Sequence, residues 1–166
     1  MVMWCQNNKK NSCETFAEKE LKVNDGGVNP NVNIFLKKSK LPKDLTVTSP
    51  ESASKILRNM GDLDRENVHV IHLNTKNKVV GIEKISTGTL NASLIHPREV
   101  FKGAILNNAN AIIVAHNHPS GESKLSEEDR KVAQILKDSG ELLNIKVLDF
   151  LAITKTGHSS VNNTEE

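Results

Sequence analysis

Residues 111–129, AIIVAHNHPSGESKLSEED, carry the pattern on which the interpretation of the whole chain depends. The stretch opens with five apolar residues, which is typical of a strand that is buried on both faces. His116 and His118 follow, and because side chains two residues apart on an extended backbone point the same way, both imidazoles can face one point. After a Pro-Ser-Gly turn, Ser126 predicts a helix start, because serine is a favoured N-cap and an acid follows three residues later. The pattern therefore predicts a strand end, a tight loop and a helix start that bring His116, His118 and Asp129 together.

Two imidazoles and one carboxylate form a ligand set that zinc uses in proteins. Three protein ligands leave a fourth position open for water, and this arrangement is typical of catalytic rather than structural zinc sites. Each part also has a simpler interpretation. A His-x-His pattern is common without a metal, and Asp129 alone fits the acidic partner of a capping box at the positive end of a helix. The metal hypothesis depends on the combination of the three residues.

The same stretch resembles the active-site motif of the JAMM metalloproteases. In that motif His-x-His-Pro is followed by a serine and, three positions later, an aspartate; the matching residues are His116, His118, Pro119, Ser126 and Asp129. Four segments also resemble, in the same order along the chain, the JAB (MPN-type) domain of the RadC family: LNTKNKVVG, GTLNASLIHPREVF, HNHPSG and ELLNIKVLDF. The resemblance covers about residues 49–154, roughly two thirds of the chain.

This resemblance implies both a fold and a chemistry. The fold is α/β, of the JAB/MPN (cytidine-deaminase-like) type, with a mixed central β-sheet flanked by helices. The implied activity is that of a zinc metallopeptidase, which cleaves a peptide or isopeptide bond with a zinc-activated water. It implies one Zn²⁺ per chain, with His116, His118 and Asp129 as the metal ligands. Glu66 is the implied general base, and Ser126 is the implied hydrogen-bond donor to the oxyanion.

The sequence leaves the identity of the base open. Glu66 stands between the first predicted helix and the first core strand, where JAMM enzymes carry this glutamate. Glu83, in the middle of the second strand, and Glu99, in the first turn of the second helix, are the alternatives. Without the resemblance, each of the three would be interpreted as an ordinary surface acid.

One segment departs from the RadC pattern. RadC-like proteins often read Leu-Asp-His where this chain reads Leu148-Asp149-Phe150. The departure leaves the metal ligands unchanged, but it bears on any role that a histidine at this position has near the site.

Hydrophobic periodicity predicts the remaining elements. Helices are expected to begin at Pro50, Pro97 and the residue after Ser126, each behind an N-cap or with proline at its first position. The first predicted helix ends at residue 61. Besides the central strand, strands are expected at residues 68–73, 79–85 and 145–153, and residues 86–89 break the chain after the second of these. A polar tail begins at residue 155. The helical stripes predict burial of these residues among others: Ile56, Ile105, Ile135, Leu142 and Leu143.

Two further histidines lie in the first strand. His69 and His72 are three residues apart, which places them on opposite faces of a strand. They are therefore poor partners for one metal, and a structural or solvent-facing role is expected for both.

Length and composition indicate an ordinary soluble protein. The 166 residues suit a flexible polar extension at 1–45, a JAB/MPN domain at 46–160 and a polar tail at 161–166. The net charge of +2 is too small to require a polyanionic partner. No apolar run is long enough to span a bilayer, and Cys5 and Cys13 lack metal or redox spacing, so a cytoplasmic location without membrane partners is expected.

Three classes of function follow from these patterns. The first is a metallo-hydrolase with a peptide or protein substrate, and the second is a non-catalytic MPN-like interaction module. Such modules usually lack the ligand residues, which are intact here. The third is an accessory role in DNA repair or recombination, for which the basic run at residues 36–40 is weak support. Full-length RadC-like proteins carry a helix-hairpin-helix region before this domain, and residues 1–45 do not match it, so no DNA-binding role is carried over.

Overall fold

The computed structural model describes residues 45–87, 95–122 and 124–163. The predicted N-terminal extension lies outside these residues except for its last position. The predicted strand break at residues 88–89 and the end of the predicted tail, residues 164–166, also lie outside them.

The described chain forms three α-helices and five β-strands. In chain order they are α1 (Pro50–Ile56), β1 (Asn67–Leu73), β2 (Val79–Thr87), α2 (Pro97–Leu106), β3 (Ala111–Asn117), α3 (Glu127–Leu143), β4 (Lys146–Ile153) and β5 (His158–Ser160). Short 3₁₀ helices cover Arg58–Asp62 and Val161–Asn163.

The strands form one mixed sheet in the order β2-β1-β3-β4-β5. β3 and β4 are parallel, and the remaining neighbours are antiparallel. Parallel neighbours need a long crossover connection, and α3 supplies it between β3 and β4. This arrangement places the carboxyl end of β3 beside the amino end of α3.

Helices cover both faces of the sheet. On one face, apolar residues of α2 and α3 such as Phe101 and Leu136 pack with Val114 in one buried cluster. On the other face, α1 contributes residues such as Ala53 to a second cluster that includes Ile113. Because β3 is covered on both sides, all seven of its residues are buried. The structure confirms the predicted α/β class with a mixed central sheet flanked by helices.

Local signals set the helix starts as predicted, and a local turn joins the first two strands. The Ser49 hydroxyl caps α1 and forms a capping box with Ser52, and Pro50 and Pro97 occupy the first turns of α1 and α2. The turn between β1 and β2 contains Asn77 with φ of 55°, a left-handed conformation that asparagine tolerates.

Several predicted boundaries were wrong. α1 ends at Ile56 and continues as a 3₁₀ helix, β2 runs past the predicted break to Thr87, and β3 runs on to Asn117. β5 was not predicted, because it is three residues long and polar. Its place is fixed by a distant contact: the Ser160 hydroxyl donates to both carboxylate oxygens of buried Asp149, at 2.8 and 2.7 Å.

The predicted burial of four helical residues was also wrong. Ile105, Ile135, Leu142 and Leu143 are 57%, 54%, 88% and 44% exposed. The buried stripe of α3 is narrow and includes Val132, Leu136 and Gly140. At about 100° per residue, Ile135 points about 100° away from Leu136, outside this stripe. Ile56 is only half-buried, against the second cluster.

Within the described residues, no helix combines the length and the apolar character that crossing a membrane requires.

Candidate metal centre and active-site pocket

Three predicted ligands converge where β3 ends and α3 begins. The Nε2 atoms of His116 and His118 are 2.6 Å apart. His116 Nε2 lies 3.4 Å from Asp129 Oδ1, and His118 Nε2 lies 3.8 Å from Asp129 Oδ2. One potential ligand atom from each residue lies within 4.8 Å of the others, so the group could hold a metal ion.

The convergence of the two histidines follows from the strand that carries them. The extended backbone of β3 continues past His116, and the His118 N–H donates to the Ile153 carbonyl of β4 at 2.9 Å. Asn117, between them, is directed away from the ligands. Its Oδ1 accepts from the Asn67 N–H at 2.7 Å, and its Nδ2 donates to the Arg65 carbonyl at 3.0 Å. These bonds tie the end of β3 to the start of β1.

Asp129 is placed for both of the roles that the sequence offered as alternatives. Its Oδ2 accepts hydrogen bonds from the Ser126 N–H at 2.9 Å and from the Ser126 hydroxyl at 2.7 Å. The Ser126 Oγ in turn accepts from the Asp129 N–H at 3.1 Å, which completes the capping box of α3. The Oδ1 atom faces His116. One carboxylate oxygen therefore caps the helix while the other is directed at the ligand cluster.

The orientation of His118 and the protonation state of His116 suit a metal. The His118 Nδ1 donates to the Glu122 carbonyl at 2.6 Å, so Nε2 is the ring nitrogen directed at the ligand cluster. Burial lowers the pKa of His116 to about 4, against the opposing effect of Asp129, so that its ring is neutral near pH 7. Neutral imidazoles and a carboxylate are the forms that bind metals.

The distances allow tetrahedral coordination after a small adjustment. Zinc-to-ligand distances of about 2.0–2.1 Å place two tetrahedral ligands about 3.3 Å apart. The separation of His116 from Asp129 is close to this value, whereas the two histidine nitrogens at 2.6 Å would have to move apart. The donor set therefore fits a small divalent cation.

The ligand cluster lies in a pocket of about 520 Å³. The pocket is lined by both predicted catalytic residues, Glu66 and Ser126, together with His116, His118, Ser120, Glu122, Lys124, Leu125, Glu127, Glu128 and Asp129. Glu66 immediately precedes β1, and Val68 of β1 pairs with His116 of β3, so strand pairing brings the glutamate to the cluster. The structure thus gathers all five predicted site residues in one pocket.

The alternative bases lie elsewhere in the described part of the chain. Glu83 points towards α2, where its Oε2 lies 3.9 Å from the Nε2 of buried His72. A Cβ at position 103 would collide with the Glu83 carboxylate, so Gly103 makes room for it. Glu99 is partly exposed on α2 and pairs with Lys102 at 3.2 Å. Neither glutamate lines the pocket.

The other two strand histidines have no metal partner among the described residues. The Asn107 amide donates to His72 Nδ1 at 2.8 Å beneath α2, which is the structural role expected for this histidine. His69 is half-buried on the opposite face of β1.

Two contacts around the ligands were not predicted from the sequence. One is the Glu122 carbonyl that binds His118, which is a backbone group that any residue type would supply. The other is Phe150 of β4, whose ring centroid lies 5.2 Å from that of His116. The departure from the Leu-Asp-His pattern pointed to this position, but only the pairing of β3 with β4 shows which residue it contacts.

A known protein family matches this combination of fold and site. A family model described as the RadC-like JAB domain matches residues 47–166. The chain belongs to the RadC-like JAB family. The match confirms the family predicted from the sequence motifs and the JAB-type fold.

Curated relatives of this RadC-like JAB domain carry the name UPF0758 protein, which states no activity. A relative from Chlorobium phaeovibrioides (strain DSM 265 / 1930) is 50% identical over 105 residues, which make up 63% of this chain and 47% of the relative. One from Desulfitobacterium hafniense (strain DSM 10664 / DCB-2) is 51% identical over 108 residues, 64% of this chain and 48% of the relative. One from Moorella thermoacetica (strain ATCC 39073 / JCM 9320) is 54% identical over 101 residues, 61% and 44% respectively. The chain thus spans less than half the length of these relatives.

Proposed function

We propose that this RadC-like JAB domain is a zinc-dependent hydrolase that cleaves an amide bond in a peptide or isopeptide substrate. The observation that carries the proposal is the gathering of Glu66, Ser126 and the three potential metal ligands in one pocket. A structural capping box would account for Ser126 and Asp129 alone. It would not account for two imidazoles whose Nε2 atoms lie 3.4 and 3.8 Å from the same carboxylate, or for a further glutamate in the lining of the same pocket.

Zinc held by His116, His118 and Asp129 would polarise the substrate carbonyl and lower the pKa of a water molecule to about 7. The Glu66 carboxylate would accept the proton from the attacking water and pass it to the leaving amine. This transfer needs a carboxylate that faces the ligands from across the pocket, and Glu66 lies at the start of β1, next to β3. Ser126 would donate to the oxygen of the carbonyl under attack. Its hydroxyl donates to Asp129 here, so it would have to turn towards the substrate.

The charge of the pocket favours a peptide over a nucleic acid. Its lining includes the carboxylates of Glu66, Glu122, Glu127, Glu128 and Asp129, and among the lining residues that the structure describes Lys124 is the only lysine or arginine. A divalent cation would offset only part of this negative charge. Because a phosphodiester backbone would be repelled by the remaining carboxylates, a nucleic-acid substrate is disfavoured at this pocket.

The test of the proposal combines metal analysis with hydrolysis. We expect purified protein loaded with Zn²⁺ to retain one zinc per chain and to cleave members of a panel of fluorogenic peptides and lysine-linked isopeptides. Glu66→Gln should keep the zinc but slow cleavage by about 10²–10⁴-fold, the usual contribution of a general base.

Glu83→Gln is the matched control, because it changes a glutamate of β2, the strand that pairs with β1, and this residue does not line the pocket. It should cleave at the wild-type rate. If Glu83→Gln loses activity while Glu66→Gln keeps it, Glu66 is not the base. Stoichiometric zinc without cleavage of any substrate would instead favour a non-catalytic module.

A further inference from the structure

The two histidines of the candidate metal centre are held in different ways. The outer nitrogen of His118, Nδ1, donates to the Glu122 carbonyl at 2.6 Å. The outer nitrogen of His116, also Nδ1, is buried and has no hydrogen-bond partner among the residues that the structure describes. Metal-binding histidines almost always use this second nitrogen in a hydrogen bond that fixes the orientation of the ring. His116 therefore needs another source of orientation.

Two rings lie against the His116 imidazole: that of His118, itself a candidate ligand, with 4.6 Å between the ring centroids, and that of Phe150. The ring centroids of His116 and Phe150 are 5.2 Å apart and their ring planes are tilted by 47°. Phe150 is fully buried, and the His116 side chain is only 1% exposed. The contact is built into the sheet, because β3 and β4 run parallel and Phe150 pairs with Val114, two residues before His116. Both side chains belong to the face that α2 and α3 cover.

We propose that Phe150 is a positioning residue for His116. Its ring holds the imidazole by van der Waals contact, so that Nε2 points at His118 and Asp129 without the aid of a hydrogen bond to Nδ1. The affinity of the site for a metal then depends on the size and rigidity of the side chain at position 150. This inference rests on the metal centre of the proposed function, but it does not require the proposed hydrolysis.

Contact with a rigid ring accounts for the orientation of the His116 imidazole better than general core packing does. Rotation of the His116 ring about its side-chain bonds would move Nε2 away from Asp129 Oδ1, which lies 3.4 Å away. A flat aromatic neighbour limits this rotation, whereas a flexible aliphatic side chain of similar volume allows more of it. The proposal therefore predicts that metal affinity depends on the shape of residue 150 and not only on what this residue contributes to the stability of the hydrophobic core.

The experiment measures metal binding by the full chain, which can be determined without any catalytic turnover. Zn²⁺ affinity is obtained by competition with a chelating dye, and the absorption spectrum of the Co²⁺-loaded protein reports the geometry of the ligands. We expect Phe150→Leu to bind Zn²⁺ about 10-fold more weakly than the wild type, at the lower end of the range seen when an outer partner of a metal ligand is lost. The Co²⁺ spectrum should shift as well.

Phe101→Leu is the matched control. Phe101 is another buried phenylalanine of the same apolar cluster, and it lies near Gly140 of α3 rather than at the ligands. It should lose comparable thermal stability in the metal-free state and bind Zn²⁺ as the wild type does. If both variants weaken Zn²⁺ binding equally, the effect comes from global stability and the proposal is overturned.

Phe150→Met keeps the test decisive if the leucine variant does not fold. Methionine has about the volume of leucine, but its longer, flexible side chain fills irregular core gaps better and still offers no flat face. Weaker Zn²⁺ binding with near-normal stability supports the positioning role, and wild-type affinity overturns it. A wild-type protein that binds no Zn²⁺ also overturns it. Failure to cleave any peptide leaves this measurement intact and counts only against the proposed hydrolysis.

Discussion

Asp129 divides two tasks between its two carboxylate oxygens. Oδ2 accepts hydrogen bonds from the backbone and hydroxyl of Ser126, and Oδ1 faces His116. A negative charge in the first turn stabilises a helix by about 0.3–1 kcal/mol, and the hydrogen bonds that Asp129 accepts in the cap use only one of its oxygens. The second oxygen has no part in the cap, so the residue is available to a metal without loss of the helix start.

The substitution Asp129→Asn separates these two tasks. The amide oxygen is expected to replace Oδ2, because the Ser126 N–H needs an acceptor there. The NH₂ group would then face His116, and because it has no lone pair to offer, the variant should lose bound zinc and with it hydrolysis. Metal content by mass spectrometry and helix content by circular dichroism check this expectation, and the thermal stability should match that of the metal-free wild type.

Glu128→Gln is the control for this change, because it neutralises an adjacent, exposed acid in the first turn of the same helix. It should keep its zinc. Normal zinc content in Asp129→Asn would leave Asp129 as a cap only.

At the scale of elements, α3 is held close to the strand that follows it. Gly140 lies within the helix, and a Cβ added there would stand 2.5 Å from the Ile145 carbonyl oxygen, which is backbone and cannot move aside alone. The Asn144 residue that ends the helix has φ of 53°, so the chain turns at once into β4. This close approach fixes the far end of the helix whose first turn carries Asp129.

The substitution Gly140→Ala should destabilise the protein although alanine is the better helix former. The gain in helix propensity is about 1 kcal/mol. Overpacking against an immobile backbone atom typically costs about 1–3 kcal/mol, and here the gap is too small for an ordinary contact. We expect a net loss of about 1–2 kcal/mol in urea denaturation. Ser139→Ala, one residue earlier at a partly buried position whose hydroxyl donates to the Ile135 carbonyl of the same helix, should change stability by less than about 0.5 kcal/mol, and an equal effect in both variants would contradict the explanation.

At the scale of the whole molecule, the core includes a histidine that stays neutral. His72 is fully buried between β1 and α2, where the Asn107 amide donates to its Nδ1. Burial lowers its pKa from 6.5 to about 4. Between these two values the unfolded chain binds a proton that the folded chain does not. The stability that neutral His72 contributes is therefore complete above about pH 6.5 and is lost as the pH falls towards 4.

This pH dependence can be measured by urea denaturation of the metal-free protein between pH 4 and pH 7. The contribution of His72 over that range is about 3 kcal/mol. Burial raises the pKa of nearby Glu83, which acts in the opposite direction and reduces the total. His72→Gln should show a smaller change in unfolding free energy over the same range. An unchanged pH dependence in this variant would assign the effect to other groups.

The sequence by itself determined the local geometry of the site. His116 and His118 are two residues apart on a strand, and Ser126 and Asp129 form a capping box, so short-range backbone rules already indicated which side chains could meet. The helix starts at Pro50 and Pro97 followed from similarly local signals, whereas the mixed sheet was implied by the resemblance to the RadC-like JAB domain.

Only the tertiary structure decided what surrounds these residues. Glu66 reaches the pocket because β1 pairs with β3, and Phe150 contacts His116 because β4 also pairs with β3. No local pattern in the sequence predicts either pairing. The exposure of Leu142 and the formation of β5 were missed for the same reason. Helical periodicity shows which residues share a face but not how much of that face the sheet covers, and the position of a short polar strand depends on a hydrogen-bond partner elsewhere in the chain.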